Sequence, residues 1–329
     1  MKILFHFLLF VLIFTGCSSK QYFEPNHIED DFGIEIKTIE SKVTNYTSNG
    51  ITLENYKLIS KSGIIDLNQT EQFNFLNDNN SIISAADQNA TLLIKKNDII
   101  NKYKFTKDII AASVKDDLVA LIFIDNSIAL YDLNTKTIKF KEYFKQSPLN
   151  DIKIASPVFL SSVILYPTLD GKVGVFDIKS NSIVKTINID PTSDINNIIF
   201  LSSHGDSLVA ATNKKLFSFG NQKVNVQDFD IKNVLMDEKY IYISTLDGEI
   251  IKFDLDLNRI ASKKFKFAKF YGIGSSTEYI YALESQDFLV RLNKNLEDEK
   301  VFDFSFDEDE KVQIVEDKLY FKDEYIILK

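Results

Sequence analysis

Twice in this chain the phrase Thr-Leu-Asp-Gly leads into an alternating strand that closes on Phe-Asp, at residues 168–177 and 245–254. Each phrase follows a β-rich run, Val163-Ile164-Leu165-Tyr166 in one and Tyr240-Ile241-Tyr242-Ile243 in the other. An Asp-Gly between two such runs is a strong hairpin signal, because Gly takes the positive φ that a tight turn requires. Looser copies fill the rest of the chain. Asp117–Asp132 turns on Asp125-Asn126 and Ser207–Phe219 on Asn213-Lys214, while Glu278–Asn293, Lys318–Leu328, Ser81–Ile94 and Tyr56–Asp66 keep the two strands with other turns. The second strands close at 66, 95, 132, 177, 219, 254, 293 and 328. Seven steps across that span give a period of about 37 residues.

A period near forty built on one hairpin is the mark of a β-propeller, whose blades carry four short strands. A β-sandwich or a solenoid is the alternative, but neither repeats one hairpin at this spacing along a whole chain. The fold expected is therefore all-β: a propeller of four-stranded blades over residues 33–329, eight by the hairpin count, with seven the alternative. Helical periodicity is nearly absent. The 27 Phe and 14 Tyr suit half-buried pleated surfaces, so these aromatics read as core. Gln146–Asp151 and Pro191–Asp194 lengthen two repeats and are expected to project from the disc.

Residues 3–14 form an apolar run behind Lys2, followed by Thr15-Gly16-Cys17-Ser18. A positive start, a short apolar stretch and small residues give the layout of a cleaved export signal. The segment resembles a bacterial lipoprotein signal, which implies cleavage after residue 16 and acylation of Cys17, the only cysteine. An ordinary secretory signal or a short uncleaved anchor is the alternative. Residues 17–32, polar and holding Pro25 and Glu29-Asp30-Asp31, are expected to be a flexible tether. Ser18 is not the Asp that marks inner-membrane retention in the lipoproteins this signal resembles, which implies the periplasmic face of the outer membrane.

Losing Lys2 with the signal would move the net charge from −9 to −10. So acidic a chain lacks the clustered Lys and Arg that nucleic-acid phosphates demand. With one thiol it has no disulfide framework, and its stability must come from a core.

The run Ser156-Pro157-Val158, the strand ending at Tyr166, Asp170-Gly171 and Val175-Phe176-Asp177 resemble the repeat of quinoprotein-type and BamB-like propellers. The likeness is good over residues 150–260 and loose elsewhere. Where that repeat closes with Gly-Lys and a Trp, this chain reads Lys179-Ser180-Asn181-Ser182-Ile183-Val184, and it has no Trp. The resemblance implies a lipid-anchored envelope protein that binds other envelope proteins, including the machinery that assembles outer-membrane barrels. Quinoprotein enzymes of similar fold need a cofactor cradle with calcium, a base and often adjacent cysteines, which Cys17 alone cannot supply.

Other chemistry is sparse. His6, His27 and His204 are scattered, and no zinc spacing, phosphate loop or nucleophile elbow is present. Asp307-Glu308-Asp309-Glu310 is a consecutive acidic run, whereas calcium loops alternate their ligands around a Gly turn. No catalytic residue, metal ligand or cofactor is therefore assigned. Asp66-Leu67-Asn68-Gln69-Thr70 and Asp87-Gln88-Asn89-Ala90-Thr91 fit the acidic sequon of bacterial N-glycosylation, so Asn68 and Asn89 are candidate glycan sites, with chance matches in an Asn-rich chain as the alternative. Two functions follow: a non-enzymatic scaffold that docks envelope proteins, or a periplasmic ligand-binding or enzymatic propeller using its central channel.

Overall fold

The burial of the strands states the architecture. Tyr240–Thr245 and Glu249–Asp254 are buried almost continuously, whereas Arg259–Lys264 alternates between exposed and half-buried. Continuous burial marks strands covered on both faces, and alternation marks a strand with one face in water. Middle strands packed between neighbouring sheets, with outer strands at a rim, are the radial arrangement of a propeller.

A computed structural model describes residues 21–29, 32–33, 35–147, 153–192, 195–306 and 311–329. Among them, 32 strands form eight four-stranded antiparallel sheets. Seven of these blades are continuous in sequence, at 43–65, 74–104, 109–143, 158–188, 200–228, 231–264 and 270–303. Blade 8 takes three strands from 313–327 and its outermost strand from Lys37–Thr38, which pairs with Tyr325 and Glu324. The two ends of the domain are thereby stitched into one blade, and the ring closes. Eight blades is the count expected from the hairpins.

The predicted hairpins are the middle strand pairs of blades 2 to 8. Blade 1 differs. Leu58–Ser60 and Gly63–Ile65 are its third and fourth strands, and its middle pair is Gly50–Leu53 with Leu58–Ser60. The turn at Gly63, with φ of +102°, carries the hairpin signal, while the true middle turn has no glycine and places Tyr56 at φ +68°.

At the two Asp-Gly turns, Gly171 and Gly248 have φ of +74° and +82°. A second constraint acts on them: a Cβ would lie 2.4 Å from the carbonyl oxygen of Asp190 at Gly171, and 2.4 Å from that of Phe265 at Gly248. The connection to the next blade crosses directly over the turn, with Ile189 and Phe265 donating their N–H groups to the two glycine carbonyls at 2.8 Å. Backbone passes over backbone there, and only glycine leaves room.

The core is a ring of apolar clusters, most of them formed where adjacent blades meet. Tyr166, Tyr242 and Tyr281 are its largest fully buried side chains. Each donates its hydroxyl to a backbone oxygen, of Ala129, Lys294 and Lys329 respectively. Buried phenols need such a partner, so these tyrosines fix neighbouring segments as well as filling space.

The described part of residues 17–32, the expected flexible tether, makes contacts with the ring. Phe23 is buried, with its ring edge-on to Phe265 and to Phe288 at 5.8 Å each. Glu29 donates its N–H to the Val301 carbonyl at 2.8 Å, and Phe32 packs on Phe302 at 4.6 Å. Burying one Phe stabilises by about 2–3 kcal/mol, enough to hold a short polar segment against the rim. Cys17, the signal, the core of both projecting loops (148–152 and 193–194) and the acidic run 307–310 lie outside the described residues.

Candidate interaction surfaces

The innermost strands of all eight blades line a central channel of about 1210 Å³. In five blades this strand bulges against its neighbour. In blades 2 and 6, as in blade 1, the residue after the bulge is an asparagine; here it is Asn77 or Asn233, opposite Ser84 or Ser244. Both are buried, and both reach the next blade: Asn77 donates its amide to Ser113 Oγ at 2.8 Å, and Asn233 to the Phe270 carbonyl at 3.2 Å. A bulge re-aims one side chain, here converting a strand residue into an inter-blade link.

From Asn77 the network extends across the channel. Asn49 donates to Asn77 Oδ1 at 3.1 Å and to Ser156 Oγ at 3.3 Å, and Ser113 donates to the Pro157 carbonyl at 2.6 Å. Blades 1 to 4 are tied together by amides and hydroxyls that satisfy one another. Nearby, Asp78 accepts from Ser60 at 2.7 Å, Ser62 at 2.5 Å and the Ser81 N–H at 2.8 Å. Burial alone would raise this carboxyl; the hydrogen bonds from Ser62, Ser60 and Ser81 outweigh it and hold it below its ordinary value. The blade 1 to 4 side of the channel wall thus presents a structural polar lattice. Its members were not singled out from the sequence, although Phe75-Leu76-Asn77 and Ile231-Lys232-Asn233 share the pattern of an apolar residue two before the asparagine.

The rim offers different surfaces. The outer strands of blades 3, 4 and 6 carry bulges against the third strand, a device that twists an edge away from pairing. Those of blades 2 and 5, Ile99–Lys104 and Lys223–Asp228, run in unbroken register. The blade 2 edge carries Lys102 and Lys104 along its length, whereas the blade 5 edge has charges only at its ends. Between those ends Val224 and Val226 are 56% and 47% exposed on one side, with the partly exposed Phe219 paired across from Val224.

The sequence-derived candidates do not converge. Asn68 and Asn89 are both exposed, and each donates its backbone N–H to the aspartate two residues earlier, Asp66 at 2.7 Å and Asp87 at 2.9 Å. Asp87 Oδ1 also takes the N–H of Thr91 at 2.7 Å, which fixes the Asn89 sequon in its turn. His27 and His204 are exposed and far apart in the chain. Among the described residues no three His, Cys, Asp or Glu side chains are grouped to hold a metal ion, and no helix is long and apolar enough to cross a membrane.

No family model matches the chain. It is similar to the plasminogen-binding protein PgbB of Helicobacter pylori strain J99, 26% identical over 335 aligned positions that cover 88% of this chain and 62% of the relative. The PgbB of strain 26695 is 25% identical with the same coverage. The chain therefore spans less than two thirds of the length of the curated relatives it matches. Among solved structures, BamB from Moraxella catarrhalis superposes with a TM-score of 0.69 at 12% identity, covering 89% of this chain and 98% of that one. The C-terminal WD40 domain of Sif2 gives 0.64 at 10% identity, covering 89% and 98%. At such identities the likeness is one of fold, and the fold is a BamB-like β-propeller of eight four-stranded blades.

Proposed function

We propose that this protein is a non-enzymatic scaffold of the cell envelope, held by a lipid on Cys17, that binds other envelope proteins at its rim. The observation that carries the reading is the open edge of blade 5. Lys223–Asp228 is six residues long, unbulged and free of proline, with two exposed valines on one side. Such an edge can accept an incoming extended strand, whose backbone supplies the hydrogen bonds and whose alternate side chains meet Val224 and Val226.

Two comparisons support a protein ligand. The curated relatives are named for binding plasminogen, and BamB supplies the same fold. In its finer form the proposal is that the strands accepted belong to outer-membrane barrel proteins during assembly, on the periplasmic face of the outer membrane. The channel favours the scaffold over a ligand-binding or enzymatic propeller, because the amides of Asn49, Asn77 and Asn233 and the hydroxyl of Ser113 are engaged with other groups of the protein.

The test is in-cell photo-crosslinking with a reactive side chain at position 224 or, as control, at Ile138 on the bulged edge of blade 3, followed by mass spectrometry of what is captured. Envelope proteins captured at 224 and not at 138 are expected. Equal capture at both positions, or none at 224, overturns the reading.

A further inference from the structure

We propose that the connection from blade 6 to blade 7 rests on an anionic bilayer surface and sets the orientation of the disc on the membrane. The inference deepens the lipid-anchored reading above. Residues 259–269 contain Arg259, Lys263, Lys264, Lys266 and Lys269 with no acidic residue between them, in a chain whose net charge is −9. Phe265 and Ala268 rivet the segment into the core at 2% and 1% exposure. Between these rivets Lys266 and Phe267 point outward. Phe267 has φ of +67° and is 39% exposed, with the Lys266 ammonium 4.8 Å from its ring centroid.

The local carboxylates do not neutralise the patch. Arg259 pairs with Glu249, Lys263 with Glu299 and Lys264 with Asp247, but among the described residues Lys266 and Lys269 have no ion-pair partner. A second exposed apolar side chain, Leu246, belongs to the turn that this segment crosses. Exposed aromatic and aliphatic tips among lysines are what an interfacial contact needs: the apolar groups enter the headgroup layer and the ammonium groups meet anionic lipid.

The position of the chain's start selects the occupant. Phe23 stacks edge-on against Phe265 itself. Cys17 lies six residue steps before Phe23, a reach of at most about 20 Å even when fully extended. A lipid on Cys17 would therefore hold this corner of the disc within contact range of the bilayer.

The chain has no tryptophan, so Phe267→Trp creates a single reporter at the proposed contact. Full-length protein, checked for an unchanged far-ultraviolet circular dichroism spectrum, is mixed with vesicles of phosphatidylcholine alone or with phosphatidylglycerol, each with and without brominated acyl chains. With phosphatidylglycerol the emission should shift to the blue and be quenched by the brominated lipid, while a reporter at Ile138→Trp should show neither change. In a Cys17→Ser background, Lys264→Glu, Lys266→Glu and Lys269→Glu together should lower partition onto anionic vesicles by roughly tenfold or more. Vesicle binding by the Phe267→Trp chain with Cys17 retained, the reporter still in water, would overturn this contact and leave the lipid anchor standing. Anionic-selective binding and a blue shift that survive Cys17→Ser, with no acyl group found on the unaltered chain, would support the contact and remove the lipid. A blue shift that requires an added acidic protein and no vesicle overturns the proposal in favour of a protein partner.

Discussion

Asn126 holds the hairpin turn of blade 4 from the equivalent turn of blade 3: its side-chain oxygen accepts the Leu169 N–H at 2.8 Å while its amide donates to the Asp170 carboxylate at 3.1 Å. Asn126 is fully buried, sits at φ +60° where blades 4 and 6 have glycine, and also donates to the Lys145 carbonyl at 2.6 Å. Asn126→Gly keeps the backbone conformation and strips the three hydrogen bonds, leaving the Leu169 N–H buried without its acceptor. The expected loss is about 2–3 kcal/mol. Asn126→Asp should cost more, because it sets a second carboxylate against Asp170. Urea denaturation at neutral pH checks both, and an Asn126→Gly variant as stable as wild type would contradict the role assigned.

The two kinds of glycine turn separate conformational strain from crowding. At Gly63, with φ of +102°, an added Cβ meets nothing within 4 Å. Gly63→Ala should cost only the left-handed backbone strain of an L-residue, about 1 kcal/mol. Gly248→Ala adds a clash with the backbone oxygens of Phe265 and Ala268, at 2.4 and 2.7 Å. Its expected cost is about 3 kcal/mol, since neither oxygen belongs to a side chain that can swing away. Similar midpoints for the two variants would refute the crowding argument.

These turns also explain which parts of the fold could be read from the sequence. Asp170-Gly171 and Asp247-Gly248 announce themselves because a local conformational demand selects a residue type. The middle turn of blade 1 does not, since Tyr56 meets the same demand without glycine. The closing strand Lys37–Thr38 is two residues long, too short to carry a period. Phe23 lies in a polar stretch beside Pro25, and its burial is decided by Phe265 and Phe288, more than two hundred residues away. The channel lattice was hidden for a related reason: Asn49, Asn77, Ser113 and Ser156 come from four blades, and each is an ordinary polar residue until the ring closes.

If Phe23 pins the leading segment to blades 6 and 7, Phe23→Ala should free that segment before it loosens the ring. Cleavage by a broad-specificity protease within residues 24–29 should accelerate several-fold. The global unfolding midpoint should fall by less than the roughly 3 kcal/mol typical of removing a core Phe, because the blades keep their own packing. A large drop in midpoint with unchanged cleavage would mean that the segment unfolds only with the whole domain.

Acid should destabilise the ring through carboxylates held by hydrogen bonds. Asp78 lies below its ordinary value of 3.8 because the Ser62, Ser60 and Ser81 hydrogen bonds overcome the effect of burial. Asp132 is held at about 2, first by the Thr135 N–H and then by Lys139. Each carboxyl binds protons more weakly folded than unfolded. Its stabilisation is complete above the unfolded value and is lost as pH falls from about 4 toward the folded one. Stability measured in urea should therefore decline over that interval. Ser60→Ala with Ser62→Ala should flatten the decline, and an unaltered slope would show that Asp78 is not among the groups responsible.

Lys252 gives the opposite pH signature and a sharper test of what a buried charge contributes. Its side chain is buried, its ammonium lies 3.8 Å from the Tyr240 ring centroid, and it donates to the Lys294 carbonyl at 2.9 Å. Among the described residues no carboxylate forms an ion pair with it. Burial pushes its pKa below 10.5, against a smaller upward pull from Asp237. A lowered folded value means that the unfolded chain holds this proton more tightly. The penalty is therefore present at neutral pH and fades as pH rises from the folded value through the unfolded one. Lys252→Met keeps the unbranched stem, one atom shorter, and removes the buried charge. The expected stability at neutral pH is within about 1 kcal/mol of wild type, because relief of the desolvation penalty offsets the missing hydrogen bond and cation–π interaction. Lys252→Glu, by contrast, should unfold the seam between blades 6 and 7, since it faces a ring and a carbonyl oxygen with a negative charge. A strongly destabilised Lys252→Met would show that the interactions with the ring and the carbonyl outweigh the burial of the ammonium.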